Sequence, residues 1–129
     1  MIRTLLTVLV LSLLSTPVFA EWTKVSENAD STFYVDFDKI RKRGGYVYYW
    51  ELGDYLKPNH KTRIRELSAK IYFQGDCELF RLKVLSWSQH KEPMGEGTGV
   101  TESPKNPEWY YPVSSKDNTI LKRICKYAK

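Results

Sequence analysis

Residues 62–89 read TRIRELSAKIYFQGDCELFRLKVLSWSQ, and the fold turns on whether the first half of this stretch is a strand or a helix. Leu67, Ala69, Ile71 and Phe73 recur at every second position, with Glu66, Ser68 and Lys70 between them. A repeat of two is that of a strand with one face on a core and the other toward water. The competing reading is a helix over Arg63–Gln74, because RIRELSAK is made of good helix formers. IYFQ and the Gly75-Asp76 turn signal behind it decide for the strand. CELFRLKVLSWSQ then returns with Phe80, Leu82 and Val84 toward the core. The spacing therefore predicts a long antiparallel hairpin turning at Gly75-Asp76.

The flanking segments extend the same sheet. YVYYWELGDYL, from residue 46, places Tyr46, Tyr48, Trp50 and Leu52 on one face and Val47, Tyr49 and Glu51 on the other. Before it, EWTKVS and STFYVDF read as two strands joined by the turn chemistry of ENAD. Asp36 is placed to cap a short helical turn, with Ile40 folding back onto the core and Gly44-Gly45 reversing the chain. KPNHK around Pro58 reads as a loop. From His90 to Glu108 the periodicity is lost, apart from a short strand expected near Val100.

The chain ends differently. In SSKDNTILKRICKYA, Ile120, Leu121, Ile124 and Cys125 form one apolar stripe at helical spacing. Ser114 or Ser115 can cap this helix, and Ser114 with Asp117 resembles a capping box. Lys122, Arg123, Lys126 and Lys129 crowd its last turns, where the helix dipole favours positive charge. The predicted class is α+β: an antiparallel sheet with one C-terminal helix packed on it and one disulfide. Cys125 would staple that helix to the strand beginning at Cys77.

The compartment is read from residues 1–20, MIRTLLTVLVLSLLSTPVFA. Arg3, an apolar run from Leu5 to Leu14 and small residues up to Ala20 form a secretory signal, with cleavage expected after Ala20. The apolar run is too short to span a bilayer, which takes about 20 residues. Removing 20 of the 129 residues leaves 109, a single domain at 21–129. Loss of Arg3 takes Lys plus Arg from 20 to 19 against 15 acidic residues, a net charge of +4. This mild excess suits anionic partners or simply solvates the surface. Export argues against nucleic acid. Cys77 and Cys125 are the two cysteines, and an oxidising compartment favours a bridge between them over free thiols. Without C-x-x-C, a redox pair is disfavoured.

Chemistry-bearing motifs are sparse. KEPMGEGTGV, residues 91–100, alternates Gly95, Gly97 and Gly99. A phosphate loop needs a helix N-terminus behind the glycines, and Pro104 and Pro107 oppose one. The glycines are better read as permitting positive φ in a turn, with Met94 tucked against the sheet. His60 and His90 are single histidines expected in exposed loops, without metal-ligand spacing. Asp36 and Asp38 read as a cap and a solvated turn, and no nucleophile motif occurs. No catalytic, cofactor or metal residues are assigned. The aromatic groups at Tyr46–Tyr55 and Trp109–Tyr111 are expected to be sheet core, or a grip for protein or sugar where they face outward beside cations. The candidate partner contacts are Arg41, Lys42 and Arg43, with Lys122, Arg123 and Lys126 of the helix.

The ordered motifs carry a resemblance. Trp22, YVDFDKI at 34–40, W-E-L-x-D-Y at 50–55, DC at 76–77, VLSWS at 84–88, PMGEG at 93–97, Trp109 with YPVSS, and ILKRIC at 120–125 together resemble the surface-adhesin protein E family. The resemblance implies an antiparallel sheet of about six strands with a C-terminal helix packed against it, and pairing of the two cysteines. It also implies binding of host matrix and serum proteins. The founding member is lipid-anchored, whereas no cysteine follows the cleavage site here. A periplasmic or secreted location is therefore expected, with the cell surface as the alternative.

The leading expectation is an exported, non-enzymatic binding module, adhesin-like, contacting host or envelope protein or anionic polysaccharide. A periplasmic accessory or inhibitor protein with a bacterial partner is the runner-up. An enzyme comes third.

Overall fold

The computed structural model describes residues 21–59 and 66–129. The signal segment at 1–20, His60 and the start of the expected hairpin strand at 62–65 lie outside them. Seven strands and one helix follow in order: β1 (Thr23–Glu27), β2 (Ser31–Val35), β3 (Arg41–Arg43), β4 (Tyr46–Asn59), β5 (Glu66–Asp76), β6 (Arg81–His90), β7 (Gly99–Glu102) and α1 (Ser115–Tyr127). The strands form one sheet in the order β1-β2-β4-β5-β6-β7, with β3 on β4, and every described pairing is antiparallel. β2 and β3 share one edge of β4: Val35 pairs with Glu51, and Arg41 with Tyr48. Between them Asp36 caps the short 3-10 turn Phe37–Lys39, accepting the Asp38 amide at 3.2 Å.

The hairpin is strand throughout its described length, but its turn lies further on than the dipeptide signal suggests. Gly75 and Asp76 end β5, and Cys77–Phe80 make the reversal. Asp76 organises it. Its Oδ1 accepts the amides of Glu78 and Leu79, each at 3.1 Å, and its Oδ2 accepts from Arg81 Nε at 2.9 Å. Gly75 serves close approach instead: a Cβ there would meet Val47 Cγ2 at 2.9 Å and Leu121 Cδ1 at 3.0 Å. Two further segments join the sheet, the second of them expected as a loop. Arg41-Lys42-Arg43 is an edge strand, closed to β4 by Gly44 and Gly45 at φ 57° and 83°. Lys57, Pro58 and Asn59 continue β4, with the ladder to β5 irregular between Asp54 and Asn59.

One face of the sheet carries the core. Val35, Val47, Tyr49, Phe73 and Leu82 meet Ile120, Leu121 and Ile124 of α1, all essentially buried. Burying a side chain of this kind contributes about 1.5–3 kcal/mol. Ser114 caps α1 by accepting the Asp117 amide at 3.1 Å. The helix is joined to the β5–β6 turn by the Cys77–Cys125 disulfide, Cα–Cα 5.6 Å. Cys77 sits in that turn and not at the start of a strand, so the bond clasps α1 to the hairpin tip.

Below the N-terminus of α1, Glu51 is nearly inaccessible and pairs with Lys116, whose Nζ is 2.8 Å from Oε1 and 2.9 Å from Asp117 Oδ1. Burial pushes the Glu51 carboxyl up, and the Lys116 charge offsets this only in part. Burial also works against the Lys116 charge, but Glu51 and Asp117 outweigh it and hold the ammonium above its usual range. Lys116 also lies 4.8 Å above the Phe33 ring.

Candidate binding face

The opposite face has no α-helix over it among the described residues. Alternation along β4 puts Tyr46, Tyr48, Trp50, Leu52 and Asp54 there. At one end the Pro93–Gly97 loop covers it. Met94 takes φ 59°, with Gly95 and Gly97 at 72° and 77°, and the loop folds back onto β4 and β5. The Met94 amide donates to Asp54 Oδ1 at 2.9 Å and the Gly95 amide to Ser68 Oγ at 2.8 Å. Ser68 Oγ in turn donates to Glu92 O at 2.6 Å. Leu52 is thereby fully buried. Ser68 and Glu66, expected to face water, are buried as well. The glycines thus serve a clamp that docks on the sheet.

Beyond the clamp the face is half-exposed and aromatic. Trp50 stacks on Tyr72 at 4.8 Å, and Tyr72 neighbours Tyr48 at 6.3 Å. Tyr46 lies 5.4 Å from Trp109. Trp109 reaches this face because Tyr110 pairs with Leu82 through two backbone hydrogen bonds, 2.8 and 2.9 Å. Cations are interleaved: Arg81 and Lys83 each sit 4.4 Å from the Trp109 centroid, and Arg43 sits 5.2 Å from that of Tyr48. Arg81 also pairs with Asp76. Burial opposes ionisation of that carboxyl, but the Leu79 amide, Arg81 and the Glu78 amide together hold it below the usual range.

The structure divides the sequence-derived contact residues. Arg43 belongs to the aromatic strip. Arg41 donates to the Asp38 and Ile40 carbonyls, both at 3.1 Å. Lys42 lines a cavity of about 340 Å³ beside Cys77, Cys125 and Lys129. Lys122 and Lys126 are exposed on α1. Arg123 donates to Lys24 O at 3.3 Å and lies 5.1 Å above Phe37. The helix cations are therefore on the side of the domain away from the strip. His90 corrects a reading: it is buried in β6, with Nε2 2.7 Å from Ser88 Oγ and Nδ1 3.3 Å from Gly97 O. Arg81, Lys83 and Tyr72 were not singled out from the sequence. The alternation Arg81-x-Lys83, opposite Gln74-x-Asp76 and on the face that also carries Tyr72, was the available signal. No group of His, Cys, Asp and Glu is arranged to hold a metal among the described residues.

One antiparallel sheet, a helix sealing one face, and a disulfide from that helix to the hairpin tip define a class of small α+β domain. Within that class, the chain belongs to the family described as Surface-adhesin protein E, which it matches over residues 22–126. Crystal form II of Haemophilus influenzae protein E is similar at 17% identity and a TM-score of 0.63, over 88% of this chain and 94% of that one. Protein E from non-typeable Haemophilus influenzae gives 17% identity and a TM-score of 0.61, over 86% and 79%. At that identity the likeness is one of fold. No curated protein matches the chain. The family is one of exported or cell-surface proteins. No helix of the described residues is long and apolar enough to cross a membrane.

Proposed function

We propose that the protein is an exported, non-enzymatic, adhesin-like binding module that takes an acidic patch of a host matrix protein on its open sheet face. The observation that carries this is the asymmetry of the sheet. One face is sealed by α1 and clasped, while the other presents Tyr46, Tyr48, Trp50, Tyr72 and Trp109 with Arg43, Arg81 and Lys83 among them. Aromatic residues and arginine are the side chains that most often dominate protein interfaces. Ring-to-ring contacts hold these in place beforehand, which lowers the entropy lost on binding. The excess of cations favours an acidic partner surface.

The test compares binding of the secreted chain to immobilised matrix proteins. Trp109→Ala combined with Lys83→Gln is expected to weaken binding by about tenfold or more. Lys122→Gln combined with Lys126→Gln on the helix should leave it within about twofold. Equal loss from both pairs, or loss only from the helix pair, contradicts the assignment.

A further inference from the structure

Between the aromatic strip and the Pro93–Gly97 clamp, the open face sinks into a cavity of about 290 Å³. This is at the small end of ligand pockets, roughly one ring system in capacity. Its walls come from distant parts of the chain. Trp22 enters from the start of β1, Trp50 from β4, Lys70 from β5, and Ser88 with His90 from β6.

Each wall is held by its neighbours. Trp50 is braced by its stack on Tyr72, 4.8 Å between centroids at 25°. The Lys70 stem is pinned beneath the clamp, where a Cβ on Gly95 would meet its Cδ and Cε at 3.1 Å. Its ammonium has no ion-pair partner among the described residues. His90 donates from Nδ1 to Gly97 O in the tautomer that the geometry assigns, so Nε2 accepts the Ser88 hydroxyl proton. That leaves the Ser88 oxygen as an acceptor in the cavity wall. The remaining charges are Asp36 and Lys39, which face each other at 4.0 Å, and Asp36 also caps the 3-10 turn. Lys70 is thus the uncompensated charge.

This set of groups selects a chemistry. Indole rings suit the flat C–H face of a pyranose. Ser88 and Asp36 offer acceptors for ring hydroxyls, and Lys39 and Lys70 offer donors. One unbalanced ammonium matches one carboxylate. A phosphate or nucleotide site would want converging backbone amides or a helix N-terminus, and α1 is on the other face. We propose that this cavity binds one carboxylated pyranose unit, a uronate or a sialate, of an acidic glycan. The site goes beyond the protein-binding strip: it lies at the clamp end, shares Trp50 with the strip and uses none of Trp109, Arg81 or Lys83.

The experiment titrates the secreted chain with a hyaluronan tetrasaccharide, with sialyllactose and with neutral chitotetraose, and follows the indole N–H resonances by NMR. The expected result is saturable binding of at least one acidic sugar, about tenfold or more tighter than the neutral one. Shifts should be at Trp22 and Trp50 and not at Trp87 or Trp109. The two acidic arms tell uronate from sialate. Lys70→Met keeps the aliphatic stem and should weaken acidic-sugar binding about tenfold while leaving chitotetraose unchanged. Trp22→Ala, at the sheet margin, should weaken both. Lys83→Gln lies outside the cavity and should alter neither, whatever it does to matrix binding, so failure of the strip and failure of the cavity are told apart. Absence of saturation by either acidic sugar up to about 10 mM overturns the proposal. So does equal affinity for the neutral sugar, or undiminished acidic-sugar binding by Lys70→Met.

Discussion

Replacing both Cys77 and Cys125 by serine isolates what the clasp does. The bonded residues are 48 positions apart. In the chain-entropy picture, closing such a loop removes about 13–14 cal/mol/K from the unfolded chain, or about 4 kcal/mol at 25 °C. A domain of this size has about 5–15 kcal/mol of stability in all, so the variant should be weakened without unfolding. The folded state keeps its other attachments for α1: buried Ile120, Leu121 and Ile124, the Ser114 cap, and Lys116 on Glu51. The helix should therefore remain docked, with an unchanged far-ultraviolet circular dichroism spectrum in the absence of denaturant. Urea unfolding followed by tryptophan fluorescence should show the loss, with a steeper slope because the uncrosslinked unfolded chain exposes more surface. A loss below about 1 kcal/mol would refute the loop-entropy reasoning. Loss of helix signal before urea is added would show that the bond, and not packing, holds α1.

Gly75→Ala should cost about 1–3 kcal/mol by urea unfolding, because its methyl must displace Val47 or Leu121. Lys116→Met strands the Glu51 carboxylate and should destabilise by about 3 kcal/mol at pH 7. With its native carboxyl raised above the unfolded value, that variant should regain stability as pH falls through the native pKa, when the folded state takes up the proton first. Asp76→Ala removes the organiser of the β5–β6 turn and should cost about 2 kcal/mol at neutral pH. The native Asp76 carboxyl is lowered, so its contribution is present above about pH 4. The gap between wild type and variant should close as acid protonates the folded carboxylate, and chemical denaturation from pH 7 to pH 2 checks this.

Strand identity was legible because alternation survives in IYF, YVYYW and FRLKV whatever the tertiary surroundings. The helix was legible from one apolar stripe and a serine cap. The turn was displaced because Gly and Asp have two uses. Gly75 is small for the sake of α1, and Asp76 bonds the amides after it, so the signal for reversal sits ahead of the reversal. Ser68 and Glu66 were read as solvent-facing because alternation shows that residues differ in face and not whether the second face is covered. The clamp that covers Ser68 bonds to it across 24 and 27 positions of sequence and docks through main-chain groups, which have no sequence signature. The buried setting of His90 is lost for the same reason: its partner is the Gly97 carbonyl. The aromatic residues stood out, but which of them remain open depends on where α1 lies. Trp109 reaches the strip only through the Tyr110–Leu82 bridge.

The account depends most on the sheet face opposite α1 being the surface that meets a partner. Hydroxyl-radical footprinting of residues 21–129, alone and on a solubilised basement-membrane extract, reads this directly from the aromatic side chains. Tyr46, Tyr48 and Trp109 should lose reactivity on binding. Tyr127, 56% exposed on α1, should keep it. Protection of Tyr127 with the strip left reactive would place the partner on the helix side and contradict the account.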